Sequence, residues 1–110
     1  MRYESIPERT RQQVEAALER NEPDELLVAV LSVALGWDDV TEAEAVCLRL
    51  AEHADPNVRG NAVLGHLARR FGRLSAEAVR VVETAQSDES ESVRGQAEAA
   101  SDDVSSFVQS

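Results

Sequence analysis

The residues whose side chains could carry out nucleophilic chemistry are few: one cysteine, Cys47, and two histidines, His53 and His66. A catalytic cysteine needs a general base within hydrogen-bonding reach. Cys47 and His53 are six positions apart, which turns them well away from each other on a helix, and Cys47 lies in the middle of an apolar stripe. Because free cysteine is among the most buried residue types, we expect Cys47 to be a structural thiol.

Metal binding and acid–base catalysis have equally little support. His53 and His66 lie in different predicted helices, without the short spacings that bring two ligands onto one metal ion. Asp102 and Asp103 are adjacent, so on a helix they diverge by about 100° and cannot work as an acid–base pair. The sequence also lacks a glycine-rich phosphate loop. We therefore expect a protein that is not an enzyme and that uses no cofactor or metal.

The composition favours an acidic, folded chain that binds another protein. Its 110 residues, 43% of them hydrophobic, suffice for a single domain spanning 1–110. The formal net charge of −10 would repel nucleic acids and anionic membrane surfaces, and it suits a basic partner. Neither a signal peptide nor a membrane span is evident, so we expect a cytoplasmic protein.

Capping residues, prolines and glycines divide the chain into six predicted helices, and no segment has the two-residue alternation of a strand. The residues that mark the predicted helix starts are Ser5, Asn21, Thr41, Asp55, Ser75 and Ser90. Gly36 and Gly72 are predicted to end the second and fourth helices in the manner of a C′ glycine. The predicted fold class is all-α, with consecutive helices as neighbours.

A six-residue segment occurs twice. The sequence NVRGNA at 57–62 returns as SVRGQA at 92–97, a shift of 35 residues, and the apolar stripes that precede the two copies align as well. The repeated unit is therefore helix–turn–helix, and a period of this length is typical of an α-solenoid. We expect three antiparallel pairs, at about 6–35, 39–72 and 75–108, whose small Gly and Ala residues let helices approach closely. The repeat-motif residues are Asp55, Val58, Arg59, Ala62, Val93, Arg94 and Ala97.

The segment Asp55–Ala62 resembles the HEAT repeat, whose second helix commonly begins Asp-x-x-Val-Arg-x-x-Ala. The last repeat keeps Val93, Arg94 and Ala97 but has Ser90 at the aspartate position. The resemblance implies that Arg59 and Arg94 form ion pairs between repeats, with Asp55 or Asp88 as partners.

Two longer segments, 51–62 and 94–104, resemble small bacterial HEAT-like proteins of toxin–immunity loci. This resemblance implies an immunity protein that binds and neutralises a cognate bacterial toxin. The net charge of −10 favours a basic toxin domain as that partner. One alternative is a HEAT-repeat adaptor or subunit of a larger complex. Another is a HEAT-type enzyme such as a DNA glycosylase or a bilin lyase. A glycosylase would need a basic concave face for DNA, which the whole-chain charge disfavours.

The second predicted helix and the turn after it offer one candidate partner-binding surface. Ser32 is expected to mark the water-facing side of an otherwise apolar helix. Val28 and Leu35 would then be exposed beside it, and such an apolar strip suggests a contact with a partner or a homodimer. Alternatively, the first and third helices bury this strip. Trp37 is either a plug between the first two pairs or an anchor for a partner.

The charges offer two further candidate surfaces. Residues 56–80 contain five Arg and one Glu, and Arg59, His66 and Arg70 form a predicted basic stripe. On the last helix, Glu98 and Asp102 share a face with Glu91, and Asp103 lies beside them. Carboxylates late in a helix face its negative end, which hints at use by a partner, although a solvated face is the alternative. The candidate partner-binding residues are Val28, Ser32, Leu35, Trp37, Arg70, Glu98, Asp102 and Asp103.

Overall fold

Residues 11–108 are described by a computed structural model, and within them the chain forms seven α-helices and no β-strand. This confirms the predicted all-α class. The helices are α1 (Arg11–Arg20), α2 (Pro23–Gly36), α3 (Val40–Leu50), α4 (Pro56–Asn61), α5 (Gly65–Phe71), α6 (Ala76–Ala85) and α7 (Glu91–Phe107).

Side-chain caps begin most of these helices, largely where the sequence predicts them. Asp55, Ser75 and Ser90 each accept a hydrogen bond from a backbone N–H in the first turn of α4, α6 and α7. The prediction that Thr41 caps α3 is wrong, because Asp39 is the cap and accepts from the Glu42 N–H at 3.1 Å. The predicted capping box at Ser5 lies outside the described residues.

The predicted fourth helix is broken into α4 and α5, which corrects the expected count of six. Residues 62–65 are all buried, yet four consecutive residues of a regular helix spread over about 300°. A turn at 62–64 lets Val63 and Leu64 both reach the core. Gly60 and Gly65, which flank the turn, weaken the helix further because glycine has a low helix propensity.

The two glycines predicted to end helices behave differently. Gly72 follows α5 in the left-handed region, with φ 68, as a C′ glycine does. Gly36 is the last residue of α2, but it has no positive φ, and Trp37 continues in an extended conformation. Asn21 takes the left-handed conformation after α1, with φ 56, which asparagine tolerates better than most residues.

Helices α2, α4, α5 and α7 form the centre of the packing. Helix α2 contacts α1, α3, α4 and α5, whereas α7 contacts α4, α5 and α6, and α3 also contacts α5 and α6. Buried side chains from all seven helices make one continuous apolar cluster. None of the helices within residues 11–108 is long and apolar enough to cross a bilayer.

The duplicated motif supplies buried contacts in both copies. Val58 and Val93 are completely buried, and so are Ala62 and Ala97. Gly60 lies so close to α7 that a Cβ atom there would be 3.1 Å from the Gln96 side chain. Its counterpart Gly95 has no atom within 4 Å of that position, because it lies on the exposed side of α7. Close approach through glycine is thus confirmed for Gly60 and wrong for Gly95.

Candidate partner-binding surface

Arg59 and Arg94 meet at Asp88, in the loop between α6 and α7. Arg59 donates from Nε and Nη2 to the two carboxylate oxygens of Asp88, both at 2.8 Å. Arg94 donates from Nη1 to the backbone carbonyl of Asp88 at 2.7 Å. The predicted ion pair with Asp88 is therefore confirmed for Arg59, whereas Arg94 binds the Asp88 carbonyl instead of a carboxylate. This geometry lowers the pKa of Asp88 to about 2, chiefly through the Arg59 hydrogen bonds.

The two arginines also follow the 35-residue period in their backbone contacts. Arg59 donates to the carbonyl of His53, and Arg94 donates to that of Asp88, each six residues earlier. Since 53 + 35 = 88, the repeat extends from the sequence to the hydrogen bonds. Both arginines thus tie the start of one helix to the turn before it, and their guanidinium groups are committed to contacts inside the protein.

Arg70 is also engaged within the structure. Its Nη1 donates to the carbonyl of Ala34 at 2.8 Å, and its guanidinium lies 4.7 Å from the centre of the Phe71 ring. Because Ala34 belongs to the last turn of α2, Arg70 supplies the cation that α2 itself lacks at its negative end. The break before α5 also separates Arg70 and His66 from Arg59, so the predicted basic stripe is not one continuous helical face.

The expected strip on α2 is only partly present. Leu35 is 41% exposed and Val28 is half-buried, but Ser32 is buried, at 3% exposure. The prediction that Ser32 marks a water-facing side is wrong, because the helices that contact α2 cover it. Leu31 is half-buried and lies closer to the exposed line through Val28 and Leu35. A buried serine inside an apolar helix gives no sequence signal that separates it from an exposed one.

Trp37 is half-buried and packs against the apolar cluster at the end of α2. This position agrees with a plug in the fold better than with a fully presented anchor. It leaves Leu35 and Phe107, at 41% and 44% exposure, as the most exposed large hydrophobic side chains among residues 11–108. The helical spacing places Phe107 on the same side of α7 as Val104, which favours a core position. It is exposed because it is the last residue of α7.

The acidic residues of α7 divide into two groups. Glu98 and Asp102 are exposed, and within residues 11–108 neither has a hydrogen-bond or ion-pair partner. Asp103 is half-buried beside α5, with Oδ1 at 3.8 Å from Nε of Arg69. Because α7 extends to Phe107, Asp102 is more than a turn from its end. The dipole cost expected there is consequently small, since the effect is largest in the last turn.

His66 lies close to Asp103 and Arg69 on α5. Burial lowers the pKa of His66, and the neighbouring Arg69 lowers it further, while Asp103 opposes both effects. His66 is therefore harder to protonate than a histidine in water. The charge of this region comes from its arginines, and Asp103 offsets part of it.

The residues considered for chemistry are in structural positions. Cys47 is buried, and burial raises the pKa of its thiol to about 12. His53 accepts a hydrogen bond on Nδ1 from the Asp55 N–H, so its Nε2 carries the proton that it donates to Asn21 Oδ1 at 2.7 Å. Among the described residues, no three His, Cys, Asp or Glu side chains are grouped so that they could hold a metal ion.

Residues 11–108 thus form a small all-α fold with charged side chains on its surface. Comparison with solved structures finds this fold in a chain of the crystal structure of a CDI complex from Cupriavidus taiwanensis LMG 19424. The two chains are 28% identical, with a TM-score of 0.84, and the match covers 99% of each. No protein-family model matches the chain, and no curated protein does.

Proposed function

We propose that this protein is an immunity protein that binds and neutralises a cognate bacterial toxin. The observation that carries the proposal is the full-length structural match to a chain of a CDI complex, at 28% identity. The toxin–immunity resemblance of segments 51–62 and 94–104 points the same way. So does the commitment of Cys47 and His53 to structural contacts, because it favours binding over catalysis.

The helices are proposed to form three HEAT-like pairs within one domain, α1 with α2, α3 with α4–α5, and α6 with α7. Two features support this arrangement. Helices α2, α4–α5 and α7 contact one another in chain order, and α3 contacts α6. The Arg59 and Arg94 hydrogen bonds repeat with the same 35-residue period as the sequence.

The toxin is proposed to be basic and to be held in part by the exposed acidic face of α7. Glu98 and Asp102 lack partners among residues 11–108, so they are available to a cationic surface. The net charge of −10 would also attract such a partner at long range. Covering a cationic active-site groove would be a direct way to silence a toxin that acts on nucleic acid.

The test uses the toxin encoded beside the gene for this protein. The expected result is a stable complex on size-exclusion chromatography, and rescue of growth when both proteins are produced together in a susceptible cell. Absence of a toxin gene at the locus, or failure of the pair to associate, would contradict the proposal. Association with an unrelated multiprotein complex instead would favour the adaptor hypothesis.

A further inference from the structure

Three arginines lie within five consecutive residues at the end of α5. Arg69 and Arg70 belong to the last turn of the helix, and Arg73 follows Gly72, where the helix has ended. All three arginine side chains are exposed. Because they are so close in the chain, they lie at one end of the helix, and we call them the cationic end of α5.

The contacts of these arginines position the guanidinium groups and leave most of their donors free. Nε of Arg69 is 3.8 Å from Oδ1 of Asp103, which is too long for a hydrogen bond, and 61% of the Arg69 side chain is exposed. Arg70 donates from Nη1 to the Ala34 carbonyl, and among residues 11–108 its Nε and Nη2 donate to no other group. Arg73 has no hydrogen-bond or ion-pair partner within the same residues.

Arg59 shows the opposite arrangement. Its Nε, Nη1 and Nη2 atoms all donate to oxygen atoms of the protein, and its side chain is only 15% exposed. A guanidinium group that is saturated in this way has little left to offer a further anion. One that is positioned but exposed loses less freedom when it binds. The cationic end of α5 is therefore prepared to bind an anionic group.

The negative groups around the cationic end of α5 do not cancel its charge. The carboxyl ends of α2, α5 and α7 meet here, but each carries only about half a charge, which solvent screens. Asp103 adds one carboxylate, against three guanidinium groups. Arg69 also lowers the pKa of His66 more than Asp103 raises it. Positive potential therefore predominates beside α5.

The acidic face of α7 adjoins this cationic surface. Arg69 lies beside Asp103, and the preceding residue, Asp102, is exposed and unpaired within residues 11–108. Two surfaces of opposite sign are thus neighbours in the fold. Such a pair fixes the orientation of a partner that carries the complementary signs, because a rotated partner would bring like charges together.

The net charge of the chain narrows the choice of anion. At −10, the protein repels both nucleic acid and a second copy of itself at long range. A toxin that is basic overall is attracted, and it can still present carboxylates locally. Arginine binds a carboxylate through parallel hydrogen bonds from its planar guanidinium group, which suits the free donors at the end of α5.

We infer that the cationic end of α5 binds a carboxylate-bearing segment of the cognate toxin, next to the basic toxin surface that the acidic face of α7 attracts. This inference rests on the proposed function, and it adds a contact of opposite sign that sets how the toxin is oriented. Arg69 and Arg73 are the residues open to the toxin carboxylates. Arg70 contributes its free donors while it holds the end of α2 against α5.

The test compares two double variants with the parent by isothermal titration with the purified toxin. Arg69→Gln with Arg73→Gln removes two charges from the cationic end of α5. The control, Arg49→Gln with Arg80→Gln, removes two exposed arginines of α3 and α6 that have no partner within residues 11–108. Both double variants change the net charge from −10 to −12, because each substitution removes one positive charge.

The added negative charge strengthens the long-range attraction to a basic toxin equally in both double variants. Weaker binding therefore reports a lost local contact and not the change in net charge. We expect the Arg69 and Arg73 variant to bind about tenfold more weakly than the parent, or weaker still, and the control to bind at least as tightly as the parent. Both should melt within a few degrees of the parent, since exposed ion pairs contribute little to stability.

The outcomes separate this inference from the proposed function. If the parent does not bind the toxin, the proposed function fails. If the parent binds and the two double variants have equal affinities, the inference alone is overturned. Should the Arg69 substitution lower the melting temperature, Arg73→Gln by itself decides, because it breaks no contact within residues 11–108, and parental affinity of that variant would overturn the inference. A parent dimer in sedimentation that the Arg69 and Arg73 variant turns into a monomer would assign the surface to a second copy and would also overturn it.

Discussion

At the scale of single residues, the duplicated arginines show how a repeat in sequence becomes a repeat in structure. Arg59 and Arg94 occupy equivalent positions and bind equivalent carbonyls, those of His53 and Asp88. Only Arg59 also binds a carboxylate, that of Asp88, which lies 29 residues further along the chain. The ion pair therefore joins α4 to the loop between α6 and α7.

The Arg59–Asp88 pair predicts a dependence of stability on pH. The pKa of Asp88 falls from 3.8 to about 2 in the folded protein, so the folded state favours the ionised carboxylate. This stabilisation is fully present above the unfolded pKa and is lost as the pH falls through the folded one. We expect Asp88→Asn to melt below the parent at pH 6, and the difference in melting temperature to narrow from about pH 4 down to pH 2.

The control for this prediction is Glu52→Gln, which removes an exposed carboxylate with no side-chain hydrogen bond among residues 11–108. It is expected to keep the melting temperature close to that of the parent throughout the same range. An Asp88→Asn variant whose deficit does not change between pH 6 and pH 2 would contradict the assignment of the stabilisation to the ionised pair.

Cys47 gives a second prediction at this scale. Its thiol is 2% exposed, and its pKa is raised to about 12, first by burial and then by Glu44. The thiolate is the reactive form, so a neutral and buried thiol reacts slowly. We expect iodoacetamide at pH 8 to leave the native protein unmodified in mass spectrometry and to alkylate it once denaturant is present. Rapid stoichiometric labelling of the native protein would mean that Cys47 is accessible, and would contradict its assignment as a structural thiol.

At the scale of helices, the sequence predicts where elements begin more reliably than which side they expose. Asp55, Ser75 and Ser90 are caps because capping is a local interaction within one turn. The burial of Ser32 depends on the helices around α2, and the exposure of Phe107 depends on where α7 ends relative to α5. The break at 62–64 likewise arises because that segment is covered by α2 on one side and by α7 on the other. These features result from tertiary packing, which the helical periodicity of the sequence does not predict.

The glycines of α5 and α7 give a matched prediction for helix packing. Gly95 has no atom within 4 Å of its Cβ position, so Gly95→Ala should gain helix propensity without a clash and stabilise the protein by about 0.5–1 kcal/mol. At Gly65 a Cβ atom would be 3.0 Å from Asp103 Oδ2 and 3.2 Å from the Ala100 backbone. Gly65→Ala should therefore force α5 away from α7 and destabilise the protein by about 1–3 kcal/mol.

Urea unfolding of both variants beside the parent would measure these effects. The two substitutions are chemically identical and both lie within helices, so each serves as the control for the other. Equal changes in the free energy of unfolding would show that Gly65 does not set the distance between α5 and α7.

At the scale of the whole molecule, charge is distributed unevenly between the ends of the chain. Residues 1–55 contain 13 acids and five Arg, and residues 81–110 contain seven acids and one Arg. The intervening segment is basic, but Arg59 is bound to Asp88, Arg70 to Ala34, and Arg69 lies beside Asp103. Three of the five arginines in this segment are thus held by contacts inside the fold, whereas Glu98 and Asp102 have no partner within residues 11–108.

The proposed toxin interface can be tested by separating net charge from local contact. Glu98→Arg with Asp102→Arg changes the net charge from −10 to −6, since each reversal adds two, and so does the control Glu52→Arg with Glu83→Arg. Long-range attraction depends on the summed field, so both double variants should associate with the toxin more slowly than the parent at low salt. At high salt, the association rates of the parent and of both double variants should become similar.

Dissociation distinguishes the two double variants, because it reports contacts made in the complex. If Glu98 and Asp102 lie within the interface, their reversal should speed dissociation and cost about 2–5 kcal/mol of affinity where a carboxylate is desolvated. The Glu52 and Glu83 control should dissociate at the parental rate. Both double variants should remain folded, which circular dichroism checks, so that any loss of protection reports a loss of binding. Equal dissociation rates for both variants would place the acidic face of α7 outside the interface.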